Sequence, residues 1–213
     1  VNLIGQKTIW WPTWQGWLLL LFVFAFILAI LFLNVHRFLA VTEKVEGADI
    51  LVVEAWVPKP VIEAAAREFA AGRYRLVLTT DERSSDDTRS SHRTTAATRI
   101  LTSHGVPEDK ILVCPVRSAI SHRSYSLALS VGEELRRQGI TPKGINTLSP
   151  SAHARKTLLA YRRALSSRFP VGIISVPTGD YDPARWWKSS VGGKWVILNG
   201  FGWLYELFAG PRG

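Results

Sequence analysis

The chain has 213 residues, 47% of them hydrophobic, one cysteine, and 26 Lys+Arg against 17 Asp+Glu, a formal net charge of +9. One cysteine excludes an intrachain disulfide and a cysteine-based metal site, and Cys114, at the end of "ILVC", reads as a core residue. The basic residues are spread from Arg67 to Arg168 and not gathered in a tail, which favours an anionic neighbour such as a lipid headgroup, a phosphate-bearing ligand or an acidic protein face, with a plain solvated basic surface as the alternative. No nucleic-acid-binding motif accompanies the charge, so nucleic acid is not an expected partner.

Residues 1–15 form a Trp-rich segment, with Trp10, Trp11 and Trp14 followed by Trp17. From Trp17 to Leu33, "WLLLLFVFAFILAILFL", seventeen residues carry no charge or polar side chain. With its flanks at 16–40 this approaches the roughly 20 residues of a bilayer-spanning helix, and the tryptophans match an interfacial belt. The expectation is a single-pass transmembrane anchor in which Trp10, Trp11, Trp14, Trp17, Phe22 and Phe26 meet lipid or neighbouring membrane subunits. A secretory signal peptide is the rival, but "LNVHRFLAV" makes a poor cleavage site. Lys7 on one side and Arg37 and Lys44 on the other, with Glu43 and Glu46 nearby, leave the charge rule for orientation nearly tied.

After a linker at 41–47, residues 48–213 suffice for one compact domain. "ADILVVEAW" predicts a doubly buried strand, and "VIEAAAREFAAG" a helix stopped at Gly72. "YRLVLTTD" is a second strand, and Asp81 to Arg93 a polar loop before the helix "TTAATRILTSHG". "KILVC", "GINTLS" and "VGIISVP" are further strands, the first two followed by the helices "SYSLALSVGEELRRQG" and "AHARKTLLAYRRALSSR". "YDPARWWKSS" and "KWVILNGFGWLYELF" predict closing helices, the latter too short to span a bilayer and suited to the core, the membrane surface or a protein partner. Strand–helix alternation predicts a Rossmann-like parallel sheet of about five strands with helices on both faces.

In such sheets ligands bind beyond the carboxyl ends of the strands. The loops there carry Glu54, Asp81 and Glu82, Ser121 to Tyr125, Ser149 to Arg155, and Asp180 to Asp182. "SPSAHARKT" joins a strand to a helix. If Ser149 or Ser151 caps that helix, its backbone N–H groups form an anion site to which Arg155 and Lys156 add charge. His153, in the first turn, is then a neutral hydrogen-bonding ring or a base; an ordinary helix start is the simpler reading. Arg123 of "HRSY" either joins Arg155 in an anion clamp or pairs with an acid of the Asp81 to Asp87 loop. Asp180 and Asp182 read best as helix caps. Glu54 ends an apolar strand, so its carboxylate requires a partner, for which Arg155 or Lys156 would serve. No Gly-rich phosphate loop occurs, no cofactor is expected, and no metal site is expected.

"AHARKTLLAYRRAL", "VGIISVP" and "YDPARWWKSS", with "ADILVVEAWV", "GVPEDKI" and "HRSYSLAL", resemble the SanA/ElyC/YdcF-like family of bacterial envelope proteins across nearly all of Ala48 to Phe208. The resemblance implies a Rossmann-like domain, often on one anchor in the bacterial inner membrane and facing the periplasm, linked to polysaccharide and lipid-carrier metabolism. Relatives carry glycines where this chain has Glu54-Ala55-Trp56 and Thr80-Asp81-Glu82, and acids where it has His122 and Asn199. The implied site is therefore degenerate. The expectation is a non-catalytic accessory subunit docked on a larger membrane complex. The alternative is an envelope enzyme acting on a phosphate-bearing lipid carrier or polysaccharide precursor, with His153 and Glu54 as its catalytic groups.

Overall fold

The computed structural model describes residues 11–72, 74–83, 96–117 and 121–211. The chain divides into two compact units, Val1–Val35 and His36–Gly213. The first holds most of helix α1 (Trp14–Leu39), whose 26 residues extend ~39 Å at 1.5 Å each, more than the ~30 Å of a bilayer's hydrocarbon core. Its apolar window has a mean hydropathy of 3.1 and none of it is buried. The side-chain amide of Asn34 donates to the Ile30 carbonyl at 2.8 Å, which satisfies a polar group inside the helix itself. Trp11, Trp14, Trp17, Phe22 and Phe26 are all exposed, and the rings of Phe22 and Phe26 stack. Trp10 lies outside the described residues.

The second unit is a Rossmann-like α/β domain, as the strand–helix alternation predicts. Its strands are β1 (Ile50–Glu54), β2 (Leu76–Arg83), β3 (Ile111–Arg117), β4 (Ile145–Pro150) and β5 (Val171–Val176), in the order β3-β2-β1-β4-β5 and parallel throughout. β1 is central and every residue of it is buried, which is why its sequence is a continuous apolar run with no alternation. Ile50 and Val52 pack beneath α4 (Arg123–Arg137) and α5 (Ala154–Leu165), against Leu127, Val131, Leu158 and Tyr161. Leu51 and Val53 pack on the other face against Val61, Ile62 and Ala65 of α2 (Lys59–Ala71) and Leu101 of the helix α3 at 96–103.

Three details depart from the sequence expectation. β2 and β3 continue beyond Asp81 and Cys114, pairing to Arg83 and Arg117, because ladder hydrogen bonds do not depend on side-chain polarity. Residues 84–95 of the expected polar loop lie outside the described residues. A 3₁₀ turn, Ser151–His153, delays the start of α5 to Ala154. The last helix, α6 (Ser190–Ala209), starts before Lys194 and is capped by Ser189, whose Oγ accepts from the Gly192 N–H. Asp182 does cap the 3₁₀ helix Pro183–Lys188, accepting from the Ala184 N–H at 2.8 Å.

The last turn of α1 belongs to this second unit. Leu39 is 1% exposed, and His36 Nε2 lies 3.1 Å from both Ser151 Oγ and Tyr181 OH. The segment at 41–47 is held to the sheet as well. Glu43 and Ile173 exchange two backbone hydrogen bonds, and the Asn146 side chain accepts from the Val45 N–H and donates to the Val45 carbonyl.

Candidate functional site

The loops after β1 and β4 and the start of α4 converge where the strand order reverses, between β1 and β4. They enclose a cavity of about 390 Å³ lined by Trp56, Arg123, Ser124, Leu127, His153 and Lys156. Its volume lies within the ~300–1,000 Å³ of small-ligand sites.

His153 is the best-defined group in it. The residue is 8% exposed, at the junction of the 3₁₀ turn and α5. Asn199 of α6 donates through Nδ2 to the Trp195 carbonyl at 2.8 Å, which turns its Oδ1 toward His153 Nδ1 at 2.7 Å. An acceptor there requires Nδ1–H on the imidazole, so Nε2 carries the lone pair. Nε2 is buried and has no hydrogen-bond partner among the described residues. Burial first, and the Lys156 charge second, push the His153 pKa down to about 4, against the weaker opposing effect of Asn199. Trp56 meets the imidazole edge-on at 5.2 Å and forms one wall.

The cationic side of the cavity is Arg123 and Lys156. Burial holds the Lys156 ammonium below its ordinary range; Glu206 and Glu54 oppose that shift and Arg123 adds to it. The Lys156 stem runs over Gly202, where an added methyl group would stand 3.3 Å from its Cδ. Neither carboxylate lines the cavity. Glu54 accepts from Tyr161 OH at 3.1 Å and from the Trp56 indole N–H. Burial, followed by the Glu54 charge, raises the Tyr161 pKa well above 10, so the phenol remains a donor to that carboxylate. Glu206 accepts from His122 Nδ1 at 3.0 Å; His122 itself sits at φ 51° and stacks on Tyr205. α4 and α5 both begin among the lining residues, and neither has a side-chain cap.

The structure therefore separates the residues of "SPSAHARKT". Neither serine caps α5. Ser149 Oγ bonds Thr157 Oγ1 at 3.1 Å, and Ser151 Oγ bonds Tyr181 OH at 2.8 Å. Arg155 is not a lining residue. Its Nε donates to the Phe38 carbonyl and its guanidinium lies 3.9 Å over the Phe38 ring. His153 and Lys156 do line the cavity, since residues three apart share a helix face and Arg155 falls off it. The Arg123–Arg155 clamp is thus replaced by Arg123 with Lys156. The acids expected to compete for Arg123 lie at side chains outside the described set.

Sequence reasoning passed over Lys156 as a principal group and missed the structural part played by α6. A signal was present: Gly192, Asn199 and Glu206 recur every seven residues in a mostly apolar helix, and all three are buried. Among the described residues no group of three or more His, Cys, Asp or Glu side chains could hold a metal ion. No family model, curated protein or solved structure matches the chain.

Proposed function

We propose that this chain is a single-pass, membrane-anchored accessory protein whose α/β domain holds a phosphate-bearing ligand without transforming it. The observation that carries the reading is a cavity lined by His153, Arg123 and Lys156, in which His153 keeps a buried Nε2 with no hydrogen-bond partner among the described residues. Two cations and two uncapped helix starts favour an anion. A lone-pair acceptor beside them asks the ligand to bring an O–H as well, as a phosphate with a neighbouring hydroxyl does. With a pKa of about 4 and a neutral amide as its partner, His153 is a weak base at neutral pH, which favours binding over proton abstraction.

Retention of α1 as an anchor is supported by its last turn. Cleavage beyond Leu39 would remove a side chain that is 1% exposed in the domain core. On the same reading the chain belongs with the SanA/ElyC/YdcF-like envelope proteins, anchored in the bacterial inner membrane with its domain on the periplasmic side. Its accessory role is exercised within a larger membrane assembly.

Thermal denaturation of the full chain in detergent micelles tests the binding. Glycerol 1-phosphate in solution, or phosphatidylglycerol in the micelle, should raise the midpoint, and which of them does so identifies the ligand's source. Sulfate, which brings no hydroxyl donor, should raise it less. Lys156→Met should weaken the effective phosphate compound about tenfold or more, the size of a lost charge-assisted hydrogen bond. The binding reading fails if neither phosphate compound shifts the midpoint, or if Lys156→Met binds like the parent. Consumption of the ligand during incubation would convert the chain into an enzyme and overturn the non-catalytic part.

A further inference from the structure

α6 is built inside out for a helix in water. Its buried positions include Asn199 and Glu206, which serve His153 and His122. Its outward positions are Ile197, Leu198, Phe201, Leu204, Tyr205 and Phe208, all exposed, with Phe201 at 68% and Phe208 at 78%. The spacing of one, three and four residues makes them a single stripe over three turns. Monomeric proteins in water rarely leave an aromatic stripe of this kind uncovered.

The chain itself indicates what covers the stripe. Along the flank of α6, Gly200 faces Leu39 and Trp203 packs edge-to-face on Phe38 with ring centroids 5.0 Å apart. Phe38 and Leu39 are the closing residues of α1, the helix long and apolar enough to cross a membrane. The polar groups of the stripe fit the same surroundings. Lys194 is exposed one turn before Ile197 and Leu198, long enough to extend its ammonium to phosphate headgroups, and Tyr205 has the amphipathic ring typical of that depth. Arg163 donates to the Glu206 and Leu207 carbonyls, so the end of α6 keeps its backbone acceptors satisfied next to an apolar phase.

We infer that α6 lies in the bilayer surface, its Ile197–Phe208 stripe sunk among headgroups and upper acyl chains, as a second membrane contact of the domain. The inference rests on α1 being membrane-spanning. It gives the domain a lipid contact of its own, with Asn199 and its partner His153 on the side of α6 away from the lipid.

Site-directed spin labelling of the full chain in phosphatidylglycerol-containing vesicles tests this. Cys114 is fully buried and burial pushes its thiol pKa up to about 12, so introduced cysteines label selectively. Labels at Phe201→Cys and Phe208→Cys should show an oxygen-to-nickel-chelate accessibility ratio about fivefold or more above that of Glu133→Cys on the exposed side of α4. Phe26→Cys reports the anchor separately. Lipid-like accessibility at 26 with water-like accessibility at 201 and 208 overturns the inference and leaves the stripe for a protein partner. Spin–spin broadening at 201 overturns it in favour of a second copy. Water-like values at all three sites show that the anchor reading has failed.

Discussion

Lowering the pH through the range between 6.5 and about 4 will destabilise the domain by about 3 kcal/mol on account of His153 alone. The folded-state pKa is depressed, from 6.5 to about 4, because burial disfavours the imidazolium. In that interval the unfolded chain binds a proton at this position and the folded chain does not. Stability is therefore fully present above 6.5, falls as the pH falls, and levels off below about 4. Carboxylates titrate over part of the same range, so the measurement is a difference. Denaturant titrations of the parent and His153→Gln in detergent, at intervals across the window, should diverge in slope, with the variant losing less. Glutamine can still donate to Asn199. Parallel slopes would mean that His153 does not stay neutral in the fold, and the acceptor assigned to Nε2 would fall with it.

Asn146→Ala should cost a comparable amount, about 3 kcal/mol, with no change in any group that lines the cavity. The side chain accepts from the Val45 N–H at 2.8 Å, donates to the Val45 carbonyl at 3.1 Å and to Tyr74 OH at 2.9 Å. Its removal leaves buried or half-buried partners without their bonds, each worth about 1 kcal/mol or more. The same loss loosens the segment at 41–47, so limited proteolysis near Lys44 should accelerate in step with the drop in denaturation midpoint. Asn146→Asp separates bonding from shape. It retains the acceptor for Val45 N–H but loses the donor, and should fall between parent and alanine. If alanine is tolerated at the parental midpoint, the other ties of the segment, namely the Glu43 bridge to Ile173, the Ser175 N–H to Thr42 Oγ1 bond and the Lys44–Glu68 pair, hold it without Asn146.

The architecture was legible because one physical rule dominates it. Five short apolar runs separated by helical ones can bury their faces only as a parallel sheet between two helical layers, and β1, with every residue buried, is the clearest instance. The site was legible only in outline. Strand-to-loop transitions located it at Glu54, His153 and Arg123, but side-chain direction decided its membership. Beyond the 3₁₀ turn at Ser151–His153, Arg155 lies over Phe38 and Lys156 lies at the cavity, a difference of one residue that composition does not encode. The serines, natural helix caps by type, were taken by Tyr181 and Thr157 across distances of 30 and 8 residues. Contacts from α6 were hidden for a different reason: its apolar residues outnumber the polar ones, and the sequence reads as a core helix until the exposed side is seen to be the apolar one.

The bonds from His36 to Ser151 and Tyr181 join residues 115 and 145 positions apart. During synthesis the first partner emerges long before the last, so α1 commits to its surroundings while the site that will receive its final turn does not yet exist. Closing so long a loop adds an entropic barrier that local helix formation does not face, and pairing of this range slows folding. The contact of His36 with Ser151 and Tyr181 therefore closes only after β4 and the turn beyond β5 have formed, later than the helical turn that carries it.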